Sequence, residues 1–188
     1  RGTGQTAKAD ELAEQRKTLL RDAANSMKRI IDANGDDAAS GLPVHRSYAG
    51  VLTDLGQYDE AEANIAKVAA AAAEKDNDLQ VTLLRARIAA ARKDLREARR
   101  LLDQAVDKHP GNFEPYWQRA QLNSNDPSLA PGVVRDLTKV TALRPGMTEA
   151  WGLWFDLLRS QGKLSEALAT LRNGVLANPG VRELRQFL

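Results

Sequence analysis

QGKLSEALATL, residues 161–171, is the stretch whose reading decides this fold. Its Gly162-Lys163 pair is either the tail of a phosphate-binding loop or a turn between two helices, and the two readings lead to an enzyme or to a scaffold. A Walker-type loop needs a glycine, four residues, then Gly-Lys and a Ser or Thr, because backbone donors wrap the phosphates and the hydroxyl holds magnesium. Here Leu164 stands at the hydroxyl position, and Leu157 stands where the first glycine belongs. The segment also recurs elsewhere, as LGQYDEAEANI from Leu55 and ARKDLREARRL from Ala91. In each copy a turn residue (Gly56, Lys93, Gly162) precedes an apolar one by two places (Tyr58, Leu95, Leu164). A Glu-Ala pair follows (Glu60-Ala61, Glu97-Ala98, Glu166-Ala167), then Ile65, Leu102 or Leu171 four residues on. A helix-turn-helix corner used three times explains this pattern; a nucleotide site does not.

A fourth corner, APGVVRDL from Ala130, departs from the rule, with Val133 in place of the small alanine and a polar approach, NSNDPSLAPG from Asn123, broken by Pro127 and Pro131. Pro110, Pro145 and Pro179 are each followed by glycine, at spacings of 35 and 34 residues, and an aromatic stands six residues after the first two: Tyr116 and Trp151. Each anchor has a physical reason. Small residues let helices approach closely, Pro with Gly ends a helix, and a large aromatic supplies buried area to a unit that cannot bury its own face.

A period near 34 with these anchors resembles the tetratricopeptide repeat (TPR) family, whose unit is a pair of antiparallel helices. The resemblance implies an all-α fold, a right-handed α-solenoid of stacked antiparallel helix pairs. It covers residues 42–181 as about four repeats: 42–78, 79–112, 113–147 and 148–181. Residues 1–41 hold a long amphipathic helix, a cap or a preceding repeat, and 182–188 begin a further helix. Two positions depart from the family pattern: His45 and Thr82 stand where a bulky residue such as Trp is usual. His45 is expected to fill the packing slot between the helices of its unit.

Composition agrees with an all-α chain. Apolar residues make up 43% of the 188, but many are alanine and only 5% of the chain is aromatic, which favours helix over sheet. The formal charge of +2 is too small to imply nucleic acid. It is unevenly spread: residues 1–78 carry 10 basic and 14 acidic side chains, and residues 79–110 carry 8 and 4. Seven cations fall between Arg85 and Arg100, but the run crosses a corner, includes Asp94 and Glu97 and lacks interleaved aromatics, so it reads as a solvated face and no nucleic-acid partner is expected.

The chain contains no cysteine, so thiolate chemistry and disulfides are excluded. His45 and His109 stand 64 residues apart without carboxylates at ligand spacing, so no metal and no cofactor is expected. Gly2-Thr3-Gly4 lacks the strand a dinucleotide fingerprint must follow. No stretch approaches the roughly 18 to 20 apolar residues of a bilayer span. The expectation is a soluble chain, cytoplasmic or periplasmic, bacterial in its Ala and Arg richness, and not an enzyme.

The resemblance places ligands on the inner surface, lined by the first helix of each pair. Positions off the packing stripe there are Arg46 and Gly50; Leu83, Arg87 and Ala90; Trp117 and Gln121; and Gly152, Asp156 and Arg159. If Tyr116 packs inward, helical geometry turns Trp117 about 100° away, toward the groove; the other reading puts Trp117 itself in the core slot. The asparagines of the carboxylate-clamp subclass are missing, so that clamp is not expected. The function so read is a non-catalytic scaffold binding a peptide or protein segment. The alternative is a regulatory or oligomerisation domain of a larger protein, enzymatic or membrane-anchored. Residues 6–34, with Leu12, Leu19, Leu20, Ala23, Met27, Ile30 and Ile31 recurring at helical spacing, are a candidate homodimer surface.

Overall fold

A computed structural model describes residues 3–34, 38–71 and 75–178. The described residues are all-α, with no strand among them: α1 (Thr3–Asn34), α2 (Ala38–Asp54), α3 (Tyr58–Ala71), α4 (Lys75–Ala91), α5 (Leu95–Lys108), α6 (Phe113–Asn123), a 3-10 turn (Pro127–Leu129), α7 (Ala130–Leu143), α8 (Thr148–Ser160) and α9 (Leu164–Ala177). The expected helix stop at Gly35, the Pro179-Gly180 turn and the helix over 182–188 lie outside the described residues. The chain forms two compact units, residues 1–101 and 102–188.

The three matching corners share one backbone solution. Gly56, Lys93 and Gly162 have φ of 79°, 68° and 73°, the left-handed conformation that turns a helix end back on itself. Their N–H groups donate to Thr53, Ala90 and Arg159, while the next residues (Gln57, Asp94, Lys163) donate to Leu52, Ala89 and Leu158. Those same three residues then accept, through their carbonyls, the N–H of Ala61, Ala98 and Ala167 at 3.0, 3.0 and 2.9 Å. One residue thus closes the first helix with its donor and opens the second with its acceptor. The three alanines are 0%, 0% and 1% exposed, as expected if they sit at the closest approach of two helices.

The third pair is built differently. No residue in left-handed conformation closes α6; Ser124 donates to Gln121, and Asp126 caps the 3-10 turn by accepting from the N–H of Ser128 at 3.0 Å. Pro127 and Pro131 take the first positions of the 3-10 turn and of α7, where a missing donor costs nothing. Val133, 1% exposed, fills the space that alanine leaves narrow elsewhere.

In the first unit α2 packs against α1, α3 and α4. Its core gathers Ala24 of α1, Tyr48, Ala49 and Leu52 of α2, Ala61 and Ile65 of α3, and Val81 and Ile88 of α4. His45, 6% exposed, fills the slot expected of it: its Nδ1 lies 3.0 Å from Asn64 Oδ1, and the Asn64 amide donates to Glu60 O, so the ring nitrogen donates and the amide oxygen accepts. Hydrogen bonds link residues 33 apart in sequence: Tyr58 to the carbonyl of Ala91, Arg92 to Asp59 and Arg87 to Asp54. Matching corner residues here stand 37 apart (Gly56 and Lys93, Ala61 and Ala98), so a 33-residue separation joins positions one helical turn out of equivalence in neighbouring helix pairs.

In the second unit α7 lies between α6 and α8, over Ala120, Val133, Leu137, Val140 and Ala150. The proline-to-aromatic spacing now has a cause. Trp151 Nε1 donates to Pro145 O at 2.9 Å and Tyr116 Oη to Pro110 O at 3.3 Å, so each ring ties its helix to the carbonyl that opens the turn before it. Asn178 reaches the same Pro145 carbonyl from 33 residues away. Gly174 is where Trp151 rests: a Cβ there would stand 2.9 Å from Trp151 Cγ.

Lys93 carries a Cβ in a conformation that favours glycine, at a cost of order 1 kcal/mol. Lys93→Gly is therefore expected to raise unfolding free energy by roughly 0.5–1 kcal/mol in urea titrations, whereas Gly162→Ala is expected to lower it by a similar amount.

Candidate functional site

The residues expected to line a groove fall into both units. In the first unit, Arg87 of α4 lies across α2. Its Nη1 is 3.4 Å from where a Cβ on Gly50 would stand, and its Nη2 donates to Asp54 Oδ1. Asp54 is also approached by Arg16 of α1 at 3.7 Å, so one carboxylate sits between two guanidinium groups from different helices. Gly50 is buried beneath Arg87, and Arg46 is half-buried one turn before it. The geometry therefore brings Gly50, Asp54 and Arg87 together. Asp54 was not singled out from sequence: the repeat offset of 37 residues pairs Arg87 with Gly50, and Asp54 lies one helical turn further on.

Leu83 does not belong to this surface. It is 2% exposed, between Val81 at 5% and Ile88 at 2%, and its neighbour Thr82 is 8% exposed. Three consecutive buried positions mean that α4 is covered on more than one side, so the assumption that off-stripe positions face solvent fails there.

In the second unit, Gln121, Asp156 and Arg159 are exposed and Gly152 is half-buried. Arg159 donates to Asp156 at 3.0 Å and lies 5.9 Å from the centre of the Phe155 ring. Trp117 combines features of both readings. Tyr116 holds the proline-linked position equivalent to that of Trp151, as expected of the slot residue, yet Trp117 is itself half-buried against the core of this unit. The unit also has an open pocket of about 550 Å³ bounded by Pro127, Pro131, Val134, Trp154 and Leu158, with Lys163 at its rim. Trp154 stacks on Trp151 at 6.1 Å between centroids. The two prolines were legible as a break in the corner pattern, but that the break opens an apolar hollow was not.

Two electrostatic arrangements complete the picture. Arg119 donates from Nε and Nη2 to both oxygens of Asp136 at 2.9 and 2.7 Å, and from Nη1 to Asp103 at 2.7 Å. Those hydrogen bonds, Asp136 foremost, raise the guanidinium pKa above its ordinary value against the opposing effect of burial. Asp136 is 4% exposed, so the pair is a buried clamp between α6 and α7. In the first unit Tyr48, 5% exposed, donates to Glu60 at 2.7 Å; burial first, and then the Glu60 carboxylate, push its hydroxyl up to about 12. Of the seven cations between Arg85 and Arg100, Arg85, Arg87, Arg92 and Arg100 pair with Glu62, Asp54, Asp59 and Glu97. Glu97 is held below the usual carboxylate range by its hydrogen bond from Arg100.

Among the described residues, no group of three or more His, Asp or Glu could hold a metal ion, and no helix is long and apolar enough to cross a membrane. Solved structures share the architecture. The crystal structure of TTC0263, a thermophilic TPR protein in Thermus thermophilus, superposes with a TM-score of 0.67 at 19% identity over 94% of this chain and 93% of that one. YrrB, a TPR protein with an unusual peptide-binding site, gives 0.56 at 16% over 95% and 87%, and MamA gives 0.59 at 11% over 89% and 87%. The fold is that of tetratricopeptide-repeat proteins, the class of helical scaffolds that the corner pattern resembles. No protein-family model matches the sequence, and no curated protein does.

Asp136→Ala removes two of the three carboxylate bonds of a part-buried guanidinium and leaves it the one to Asp103, so it is expected to cost about 1–2 kcal/mol in denaturant unfolding, most of which the double change Arg119→Leu with Asp136→Leu should recover. A second prediction concerns alkali. Tyr48 ionises near 12 in the folded chain and near 10 when unfolded, so its contribution is complete below pH 10 and is lost as pH rises from 10 toward 12. Thermal melts across that range should fall less steeply for Tyr48→Phe than for the wild type.

Proposed function

We propose that this chain is a non-catalytic scaffold that binds a peptide or protein segment on the surfaces that the first helices of its pairs make within each of its two units. The pairs are α2–α3, α4–α5, α6–α7 and α8–α9, assigned to repeats 42–78, 79–112, 113–147 and 148–181. The observation that carries the reading is the register within the first unit: Arg87 of α4 reaches over Gly50 to Asp54 of α2, so side chains one repeat apart share one polar surface. Repeated units that present side chains at a fixed interval suit an extended ligand. Arg46 and Arg87 are the proposed contacts in the first unit; Trp117, Gln121, Asp156 and Arg159 are a candidate surface of the second unit. YrrB, with the same fold and a peptide-binding site of its own, supports the class of ligand.

Panning a random-peptide phage library against the immobilised chain supplies a probe, whose affinity is then read by fluorescence anisotropy. Arg87→Glu and Arg159→Glu, each on an exposed side chain, are expected to weaken a peptide selected on their own unit at least tenfold, about 1.4 kcal/mol, with helicity by circular dichroism retained; the ion pairs to Asp54 and Asp156 that they lose cost up to about 1 kcal/mol each, which the melting temperature reads separately. Undiminished affinity in both variants would refute this surface.

A further inference from the structure

The face of α1 divides in two. Leu20, Ala24, Met27 and Ile31 turn toward the rest of the first unit, where Ala24 is buried and Met27 and Ile31 pack on the core. Leu12, Leu19 and Ile30 stay in solvent at 55%, 69% and 47% exposure, and Ala23 between them is half-buried. At about 100° per residue, Leu12, Leu19, Ala23 and Ile30 fall within roughly 40° of arc, a stripe beside the packed face. Every described side chain from Thr6 to Leu19 is exposed. A helix segment this long with no packed face gains little from its own propensity, and Leu12, Leu19 and Ile30, with Ala23 between the last two, set apolar side chains along one side of it.

The spacing identifies the occupant. Along the stripe the steps are 7, 4 and 7 residues, which read the same from either end. An antiparallel copy related by a two-fold axis through residue 21 therefore places Leu12 against Ile30 and Leu19 against Ala23, large against small at the centre. The charges on one edge follow the same symmetry. Glu11 and Arg29 lie at the same angle, about 100° from the stripe centre, and at nearly mirrored heights, so the axis sets each Glu11 beside the other copy's Arg29. Neither residue makes an ion pair among the described residues. The opposing contribution is Asp22, which meets its own copy near the axis on that edge.

We propose that α1 is a self-association surface: two chains pair antiparallel through Leu12, Leu19, Ala23 and Ile30, with reciprocal Glu11–Arg29 ion pairs. The contact is independent of the peptide surface, because Leu12, Leu19 and Ile30 are not among the residues assigned to it.

Sedimentation equilibrium of the full chain tests the pairing, with a mass twice 20.6 kDa expected. Leu19→Glu, on a position 69% exposed, should return the monomer with unchanged helicity. Glu11→Arg alone should weaken the dimer several-fold, Glu11→Arg with Arg29→Glu should restore it, and Asp22→Asn should tighten it. Because the chain has no cysteine, direction can be read by cross-linking. L12C mixed with I30C should oxidise to the mixed dimer in preference to either homodimer. A monomer at all concentrations, a dimer indifferent to Leu19→Glu, or preferential L12C homodimers would each overturn the proposal. Peptide affinity measured on Leu19→Glu separates the two surfaces, since failure of one leaves the other intact.

Discussion

Everything in this fold depends on a corner in which a single residue serves two helices. Gln57, Asp94 and Lys163 each give their N–H to the helix that ends and their carbonyl to the helix that begins, after a neighbour has turned the chain through a positive φ. Helix termini ordinarily leave four donors or four acceptors without intrahelical partners, and the shared residue removes some of each in the space of three residues. That economy brings the two helices so close that only alanine fits at the crossing, which is why Ala61, Ala98 and Ala167 are buried almost completely. The identity of one small residue and the sign of one backbone angle are thus two aspects of the same constraint.

The second level of order is the interval between units. Hydrogen bonds between residues 33 apart recur in the first unit and again at Pro145 and Asn178 in the second. They tie one helix pair to the next at its end rather than along its apolar face, so stacking fixes register while the core supplies most of the free energy. Where the corner fails, in the third pair, burial is maintained by other means: a valine in the enlarged gap, a 3-10 turn capped by Asp126, and the doubly bonded Arg119–Asp136 pair. A buried ion pair is a poor source of net stability but a good determinant of which way two helices meet. The same irregularity leaves the apolar hollow beside Trp154.

Both surfaces proposed for partners follow from what this construction leaves uncovered. Pairing of first helices presents polar side chains at a repeated interval, Arg87 over Gly50 being the clearest case, whereas α1 is longer than the helix it packs on and keeps a second apolar stripe in solvent. An extended ligand and a second helix make different demands, the first for spaced polar contacts and the second for a continuous seam, and the chain separates them by location.

The amino-acid order alone determined the corners, because left-handed turns, small crossings and proline ends are local demands met within ten residues. It also placed His45 in its packing slot and set Tyr116 and Trp151 at a fixed distance from the prolines before them, although the hydrogen bonds that explain the distance came only with the structure. It did not determine which sides of a helix would be covered. Leu83 looked available from its own helix and is buried because α4 is covered on more than one side; the apolar positions of α1 looked like one stripe and are two, because its packing partners cover one side and the second stripe lies about 90° around the helix from it. Burial is a property of neighbours, and neighbours one repeat away are set by how units stack, which only the tertiary structure decides.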